Sequence, residues 1–333
     1  MTAELPLPEG FRLGHATRAR GDSGCTVVLC PAGTRGGVDV RGGGTGTREL
    51  EALSSLANAE GPNAVLLTGG SAFGLAAADG VMRWLEQRGL GRPTPAGLVP
   101  LVPAAVVFDR TAGEPGERPG PEDGYAACDR ARAGVPERGA VGAGAGAAVG
   151  KLLGRNRATP SGVGYAALQV LGGMTVAAIV VANAFGDVLA DDGAVLGGPR
   201  GERGELLRSA ELICRTPQLA EPPGWDARPG QSTTLACVCT DAPLDKRSCG
   251  IVARIASAGI ARAVDPAFTP RDGDIVFCLA SGSSPPPAPG PANSWALTVL
   301  GTAAASAVAA AIRDALAPRS GGVRGGGHDA VVQ

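Results

Sequence analysis

The sequence predicts a layered α/β sandwich. Three observations carry that expectation. Seven short runs rich in Val, Ile and Leu are apolar almost throughout, as strands covered on both faces must be. Helical periodicities fall between them. The hydrophobic share is 44%, mostly Ala, Val and Leu, and aromatics are only 3%, which suits a core of small side chains and closely packed backbones.

The elements follow in chain order. CTVVLC (Cys25–Cys30), GVDVRG (Gly37–Gly42) and AVLLT (Ala64–Thr68) read as strands. Phe73–Gln87 then repeats apolar residues at helical spacing, starts after Ser71 and stops before Gly89. LVPAAVVFD (Leu101–Asp109), GMTVAAIVVANAF (Gly173–Phe185), TTLACVCTD (Thr233–Asp241) and DIVFCLAS (Asp274–Ser281) are the remaining strands. Glu205–Ile213, Asp245–Ala263 and Trp295–Leu316 are the remaining helices. Thr111–Glu122, Arg215–Gln231 and Ser283–Pro291 are rich in Pro, Gly or charge and are expected as exposed loops. The Gly-rich segment 319–333 is expected as a disordered tail. No linker separates two self-sufficient sets of elements, so residues 1–318 are expected to form one domain.

Composition excludes several functions. The 53 Gly and 27 Pro residues approach a low-complexity composition. However, a charged share of 18% and a net charge of -1 are the reverse of what disorder requires. No basic block marks a nucleic-acid or membrane-surface partner. No uninterrupted apolar run approaches a membrane span, the longest being Val176–Ala182 and Ala303–Ile312. The N-terminus has no basic segment followed by an apolar one, so a cytoplasmic location is expected. The two histidines, His15 and His328, rule out a multi-His metal site, and no metal or other cofactor is expected. The eight cysteines form no C-x-x-C pair and read as small buried hydrophobes.

Three glycine-rich motifs fail. GAVGAGAGAAVGKLLG (Gly139–Gly154) has Ala145 where a phosphate loop needs Gly, and Leu152 where it needs Ser or Thr. Val149 breaks the dinucleotide pattern begun by Gly144 and Gly146. Phe73 breaks the nucleophile-elbow pattern around Ser71.

A set of local words remains. They are GCTVVL (Gly24–Leu29), VDVRGGGTGTRE (Val38–Glu49), LLTGGSAFGLAAADGVMRWLE (Leu66–Glu86) and VPAAVVFD (Val102–Asp109). VGAGAGAAVGKLLG (Val141–Gly154), VVANAFGD (Val180–Asp187), STTLACVCTDAPL (Ser232–Leu244) and TPRDGDIVF (Thr269–Phe277) follow. In this order they resemble the S58 (P1) peptidase family, which includes L-aminopeptidase/D-amidase, the β-peptidyl aminopeptidases and the nylon-oligomer endo-hydrolase. The T-T-L context of Thr233 is nearest the nylon-oligomer branch.

The resemblance implies an αββα sandwich of the N-terminal-nucleophile type and a precursor that cuts itself between Ser232 and Thr233, giving fragments 1–232 and 233–333. It implies Thr233 as nucleophile, Lys151 as its polarising partner and Asn183 as an oxyanion donor. One of Asp272 and Asp274 would orient the new amine or Lys151. The chemistry is self-consistent, because a freed α-amine has a pKa near ~8 and can serve as base for its own hydroxyl. Gly70, Ser71 and Phe108 fall in words expected to shape the substrate pocket, and Asp109 and Arg41 are candidates for binding substrate ends. The implied substrate is a small peptide or amide, and the implied assembly is a homo-oligomer, a tetramer of cleaved protomers. An acyl transferase on the same scaffold, or an uncut binding relative, fits the same words.

Two positions depart from the family pattern. Ser232 stands where the nylon-oligomer branch has Asn, and Phe108 stands where a Tyr is common. Tyr125 and Tyr165 are the remaining phenols. Taken singly, each site residue has a plain structural reading. Thr233 would be a strand residue, Lys151 a surface lysine and Asn183 a hairpin turn residue, with Asp272 and Asp274 in a turn. His15 reads as a packing or capping residue.

Overall fold

The protein is described by a computed structural model over residues 4–109, 117–215, 232–284 and 294–317. The expected loops lie largely, and the expected tail wholly, outside those residues.

Two five-stranded sheets face each other. The first holds β1 (Arg12–Thr17), β2 (Gly24–Leu29), β4 (Thr47–Arg48), β5 (Ala64–Thr68) and β6 (Ala104–Val106), in the order β1-β2-β5-β6-β4. The second holds β3 (Arg35–Val40), β7 (Val163–Gln169), β8 (Thr175–Asn183), β9 (Thr233–Thr240) and β10 (Ile275–Ala280), in the order β7-β8-β9-β10-β3. Each sheet runs antiparallel except at its third pairing. There β5 and β6, or β9 and β10, are parallel.

Helices close both outer faces. α1 (Ala77–Glu86) and α2 (Pro121–Asp129) cover the first sheet through Val81, Trp84, Leu85 and Ala127, packed on Val27, Leu29 and Leu66. α3 (Ser209–Arg215) lies at the periphery. α4 (Lys246–Ala256), α5 (Ala258–Ala263) and α6 (Ser294–Asp314) cover the second sheet through Val252, Ile260, Val308 and Ile312. The inner layer is apolar from both sides, with Val28, Val65 and Leu67 meeting Ile179, Leu235 and Phe277. Helix, sheet, sheet and helix thus stack in four layers, which explains the continuous apolar strands.

Most expected elements are present, and the differences have local causes. The Asp245–Ala263 segment is two helices, with the Asp245 carboxylate capping Ser248 N at 2.7 Å. The Phe73–Gln87 segment opens as a 3-10 turn over Ser71–Ala76 before α1. The end of the expected Thr111–Glu122 loop already belongs to α2, with Pro121 in its first turn. α6 carries Ser, Thr and Gly among its apolar residues, so no long unbroken run shows. Its mean hydropathy nevertheless reaches 1.7, long and apolar enough to cross a membrane by length and composition. Here it packs on the second sheet.

Candidate active site

The site lies where strand ends from both sheets converge. Asn183 ends β8 and Thr233 begins β9, and the two are directly paired across the antiparallel ladder. Lys151, Asn183, Ser232, Thr233, Asp272 and Asp274 are all buried. The reading of Lys151 as a surface lysine is therefore wrong, and Asn183 is a strand residue rather than a turn residue.

Asn183 organises the centre. Lys151 Nζ donates to its main-chain oxygen at 2.8 Å and to Oδ1 at 2.7 Å. Ala148 N also donates to Oδ1, at 3.3 Å, while Nδ2 donates to the Phe108 carbonyl at 3.1 Å. Two donors on one side and one acceptor on the other fix the amide orientation. Phe108 thus enters the site through its backbone.

The acid pair is held by main-chain donors. Asp274 Oδ1 accepts from Thr234 N at 2.6 Å, and Oδ2 accepts from Phe268 N at 3.2 Å. Asp272 Oδ1 accepts from Phe185 N at 3.1 Å, and Oδ2 accepts from Thr269 N and Thr269 Oγ1 at 3.1 and 2.5 Å. The glycine word folds over this segment. Arg41 N and Gly42 N donate to the Asp274 carbonyl, and Gly44 N donates to that of Asp272. A Cβ on Gly42 would lie 2.3 Å from Asp272 O, so only glycine allows this approach.

Electrostatics follow from burial. Burial, helped by Arg155, pushes the Lys151 pKa well down, while Asp272, Asp109 and Asp274 pull it back up. Burial, reinforced by Asp272, pushes Asp274 up to about 7. Asp272 is also raised, again chiefly by burial.

The Thr233 hydroxyl donates to the Ser232 carbonyl at 2.6 Å. Gly70 and Ser71 are tied in through Asp109, whose Oδ1 accepts from Gly70 N at 2.8 Å, and through Ser71 N, which donates to Val107 O. Gly70 has φ +78° and Ser71 has φ +56°, so the turn after β5 is left-handed at both residues. Arg41 pairs with Asp39 instead of reaching the site. Asp109 is buried, and its Oδ2 has no hydrogen-bond partner among the described residues. Arg155 was not singled out from the sequence. Only a basic residue in a Gly-rich loop marks it there.

Neither tyrosine replaces the missing phenol. Tyr165 donates to Leu5 O at 2.9 Å, and Tyr125 on α2 donates to Gln87 Oε1 at 2.8 Å. His15 is structural. It pairs with Thr26 Oγ1 and Glu137 O, and burial lowers its pKa to about 4. Among the described residues no cluster of His, Cys, Asp and Glu is arranged to hold a metal ion.

Comparison with known proteins gives a consistent picture. Peptidase family S58 matches over residues 9–327. A protein of Mycobacterium tuberculosis described as an uncharacterized aminopeptidase is 42% identical over 321 residues, covering 91% of this chain and 90% of its own. The 6-aminohexanoate-oligomer endohydrolase of Paenarthrobacter ureafaciens is 30% identical over 274 residues, covering 82% and 73%. Among solved structures, an L-aminopeptidase D-Ala-esterase/amidase of Ochrobactrum anthropi, described as a variant of the Ntn hydrolase fold, superposes with TM-score 0.67. It has 20% identity over 95% of this chain and 88% of its own. A β-aminopeptidase of a Burkholderia species superposes with TM-score 0.63, at 23% identity over 92% and 84%. The αββα sandwich is thus of the N-terminal-nucleophile type, and the chain belongs to peptidase family S58, as a hydrolase of peptide or amide bonds.

Proposed function

We propose that the protein cuts itself between Ser232 and Thr233 and then hydrolyses small peptides or amides through an acyl-enzyme on Thr233. The observation that carries this reading is the position of Thr233. It begins a buried strand opposite Asn183, with its hydroxyl against the carbonyl of the bond to be cut.

In this reading Lys151, held by Asn183, is the proton acceptor for the Thr233 hydroxyl in the uncut chain. Its lowered pKa favours the unprotonated amine. After the cut, the new α-amine shares that task. Asn183 offers its amide to the developing oxyanion. Asp274 fixes the start of β9 through Thr234 N, and Asp272 fixes Phe185 behind Asn183. Gly70, Ser71 and the Phe108 segment border the pocket. Residues 1–318 act as one domain before and after the cut. The family resemblance supports a homo-oligomer of cleaved protomers.

Short L-, D- and β-amino-acid amides and 6-aminohexanoate oligomers form the assay panel. Turnover of at least one, with release of the free acid and loss in Thr233→Ala, is the expected result. Turnover retained in Thr233→Ala would remove the proposed nucleophile. A product carrying an added amine, in place of the acid, would make the enzyme an acyl transferase.

A further inference from the structure

Between the two site carboxylates stands Gly273, which the reading above does not use. Its backbone N–H donates to the Ser232 carbonyl oxygen over 2.8 Å. Thr233 Oγ1 lies 2.6 Å from that same oxygen. A main-chain donor and a hydroxyl nucleophile therefore meet on the carbonyl of the bond joining residues 232 and 233. The segment is held from behind, since Gly44 N donates to Asp272 O at 2.8 Å and Gly42 N donates to Asp274 O at 3.2 Å. Ser232 and Asp272 form a parallel bridge, so this N–H is aimed by strand geometry.

The residue type is also constrained. A Cβ on Gly273 would lie 2.8 Å from Thr233 Oγ1 and 2.7 Å from Gly44 O. Gly273 has no positive φ, so the need is for space, not for a left-handed backbone.

We propose that the Gly273 N–H is an oxyanion donor for both acyl transfers at Thr233, an inference that rests on Thr233 being the nucleophile. In self-cleavage, Thr233 Oγ bonds to the Ser232 carbonyl carbon. The carbonyl π pair moves onto the oxygen, where the Gly273 N–H already points. The hydroxyl proton passes through the base to the Thr233 nitrogen, which departs as the C–N bond breaks. Water then adds to the ester, Thr233 Oγ leaves with a proton, and Ser232 becomes a carboxylate. In turnover the acyl-enzyme has the same connectivity, an acyl carbonyl esterified to Thr233 Oγ. Ser232 thus occupies the place of the substrate's acyl residue. Once it leaves, the same N–H faces the substrate carbonyl. A preorganised backbone donor of this kind contributes a factor of about 100 to 1,000 in rate.

The test compares four full-length chains: wild type, Gly273→Ala, Thr233→Ala and Gly36→Ala. In the last, a Cβ would crowd Pro62 at 2.8 Å, at the end of β3 away from the site. The appearance of fragment 233–333 is followed by mass, beside thermal melts. Gly273→Ala keeps the N–H, but its Cβ must shift the segment off Gly44 O and Thr233 Oγ1 and so take the donor off the Ser232 carbonyl; it is expected to cut roughly 100-fold more slowly than wild type while still melting cooperatively, and Gly36→Ala to cut at the wild-type rate. In the fraction of Gly273→Ala that does mature, kcat is expected to fall by a similar factor with KM little changed. Wild-type cutting by Gly273→Ala, with none in Thr233→Ala, would overturn this inference and leave the nucleophile standing. Cutting in Thr233→Ala would overturn the reading beneath it. Wild-type kcat in matured Gly273→Ala would overturn the half concerning turnover. If Gly273→Ala does not melt cooperatively, intact Thr233→Val labelled with 15N-Gly and 13C-carbonyl Ser decides. A coupling across the hydrogen bond from Gly273 N to the Ser232 carbonyl is expected, and its absence would overturn the proposal.

Discussion

Lys151 reaches Asn183 twice, donating to its main-chain oxygen at 2.8 Å and to its side-chain oxygen at 2.7 Å. Asn183 pairs directly with Thr233 on the next strand. A buried amine is therefore set against the start of β9 through one intermediary.

Lys151→Met should leave the chain uncut, or slow the cut by two orders of magnitude or more, because general-base assistance contributes about 100- to 10,000-fold. Stability should move the other way. A lysine whose folded pKa is lowered carries a penalty at low pH that is relieved as pH rises through the folded pKa toward the unfolded value. Lys151→Met removes that penalty, so its melting temperature at neutral pH should equal or exceed that of wild type. A large loss of melting temperature would mean that the two bonds to Asn183 outweigh the cost of burying the amine.

Asp274 supplies a pH signature. Its folded pKa, about 7, lies above the ordinary Asp value near 3.9. The protonated form is favoured on folding, so its stabilising contribution is complete at low pH and is lost as pH rises from about 4 to 7. Wild type should lose melting temperature across that window relative to Asp274→Asn. The rate of self-cleavage should rise through pH 7 as the carboxylate forms, and that limb should vanish in Asp274→Asn. Parallel melting curves in the two proteins would contradict the assignment.

Gly164 tests the packing of α6 on the second sheet. A Cβ there would lie 1.8 Å from Ala311 O and 2.7 Å from Ala315 N. Backbone must move to admit it, so Gly164→Ala should destabilise by about 1–3 kcal/mol or more. Urea unfolding measures this, and an unchanged midpoint would show that α6 does not pack as described.

Thiol reactivity tests burial. All eight cysteines are free, and Cys214, at the end of α3, is exposed. Burial pushes Cys25, Cys30 and Cys128 up, away from the reactive thiolate. One thiol per chain should react quickly with an aromatic disulfide reagent in the folded protein, and eight after denaturation. Several fast thiols in the folded state would contradict the placement of the cysteine-bearing strands.

Much of this was legible in the sequence, for physical reasons. AVLLT is β5 residue for residue, because a strand buried on both faces shows its apolar run without interruption. β1 and β7 escaped notice because RLGHAT and VGYAALQ mix glycine and polar residues. Gly14 and Gly164 in them are needed where helix backbone comes within reach of a Cβ. α2 begins with Pro and contains Gly124, which reads as a loop. That glycine admits the α1 backbone, since a Cβ there would lie 1.9 Å from Ala77 O. In the site, the motif words name candidate residues but say nothing of their surroundings. Lys151 is buried, and its Nζ bonds to Asn183, 32 positions away. The hydrogen bond of Gly273 to Ser232 exists only once β9 and β10 lie parallel.

Self-cleavage before Thr233 is the step on which the proposed chemistry of the protein rests. Intact mass spectrometry of the purified protein and of Thr233→Ala after prolonged incubation reads that step without a substrate. Two species are expected for wild type, residues 1–232 and 233–333 with Thr233 at the new N-terminus, and one intact species for Thr233→Ala. A single intact mass for both, or the same cut in both, would contradict it.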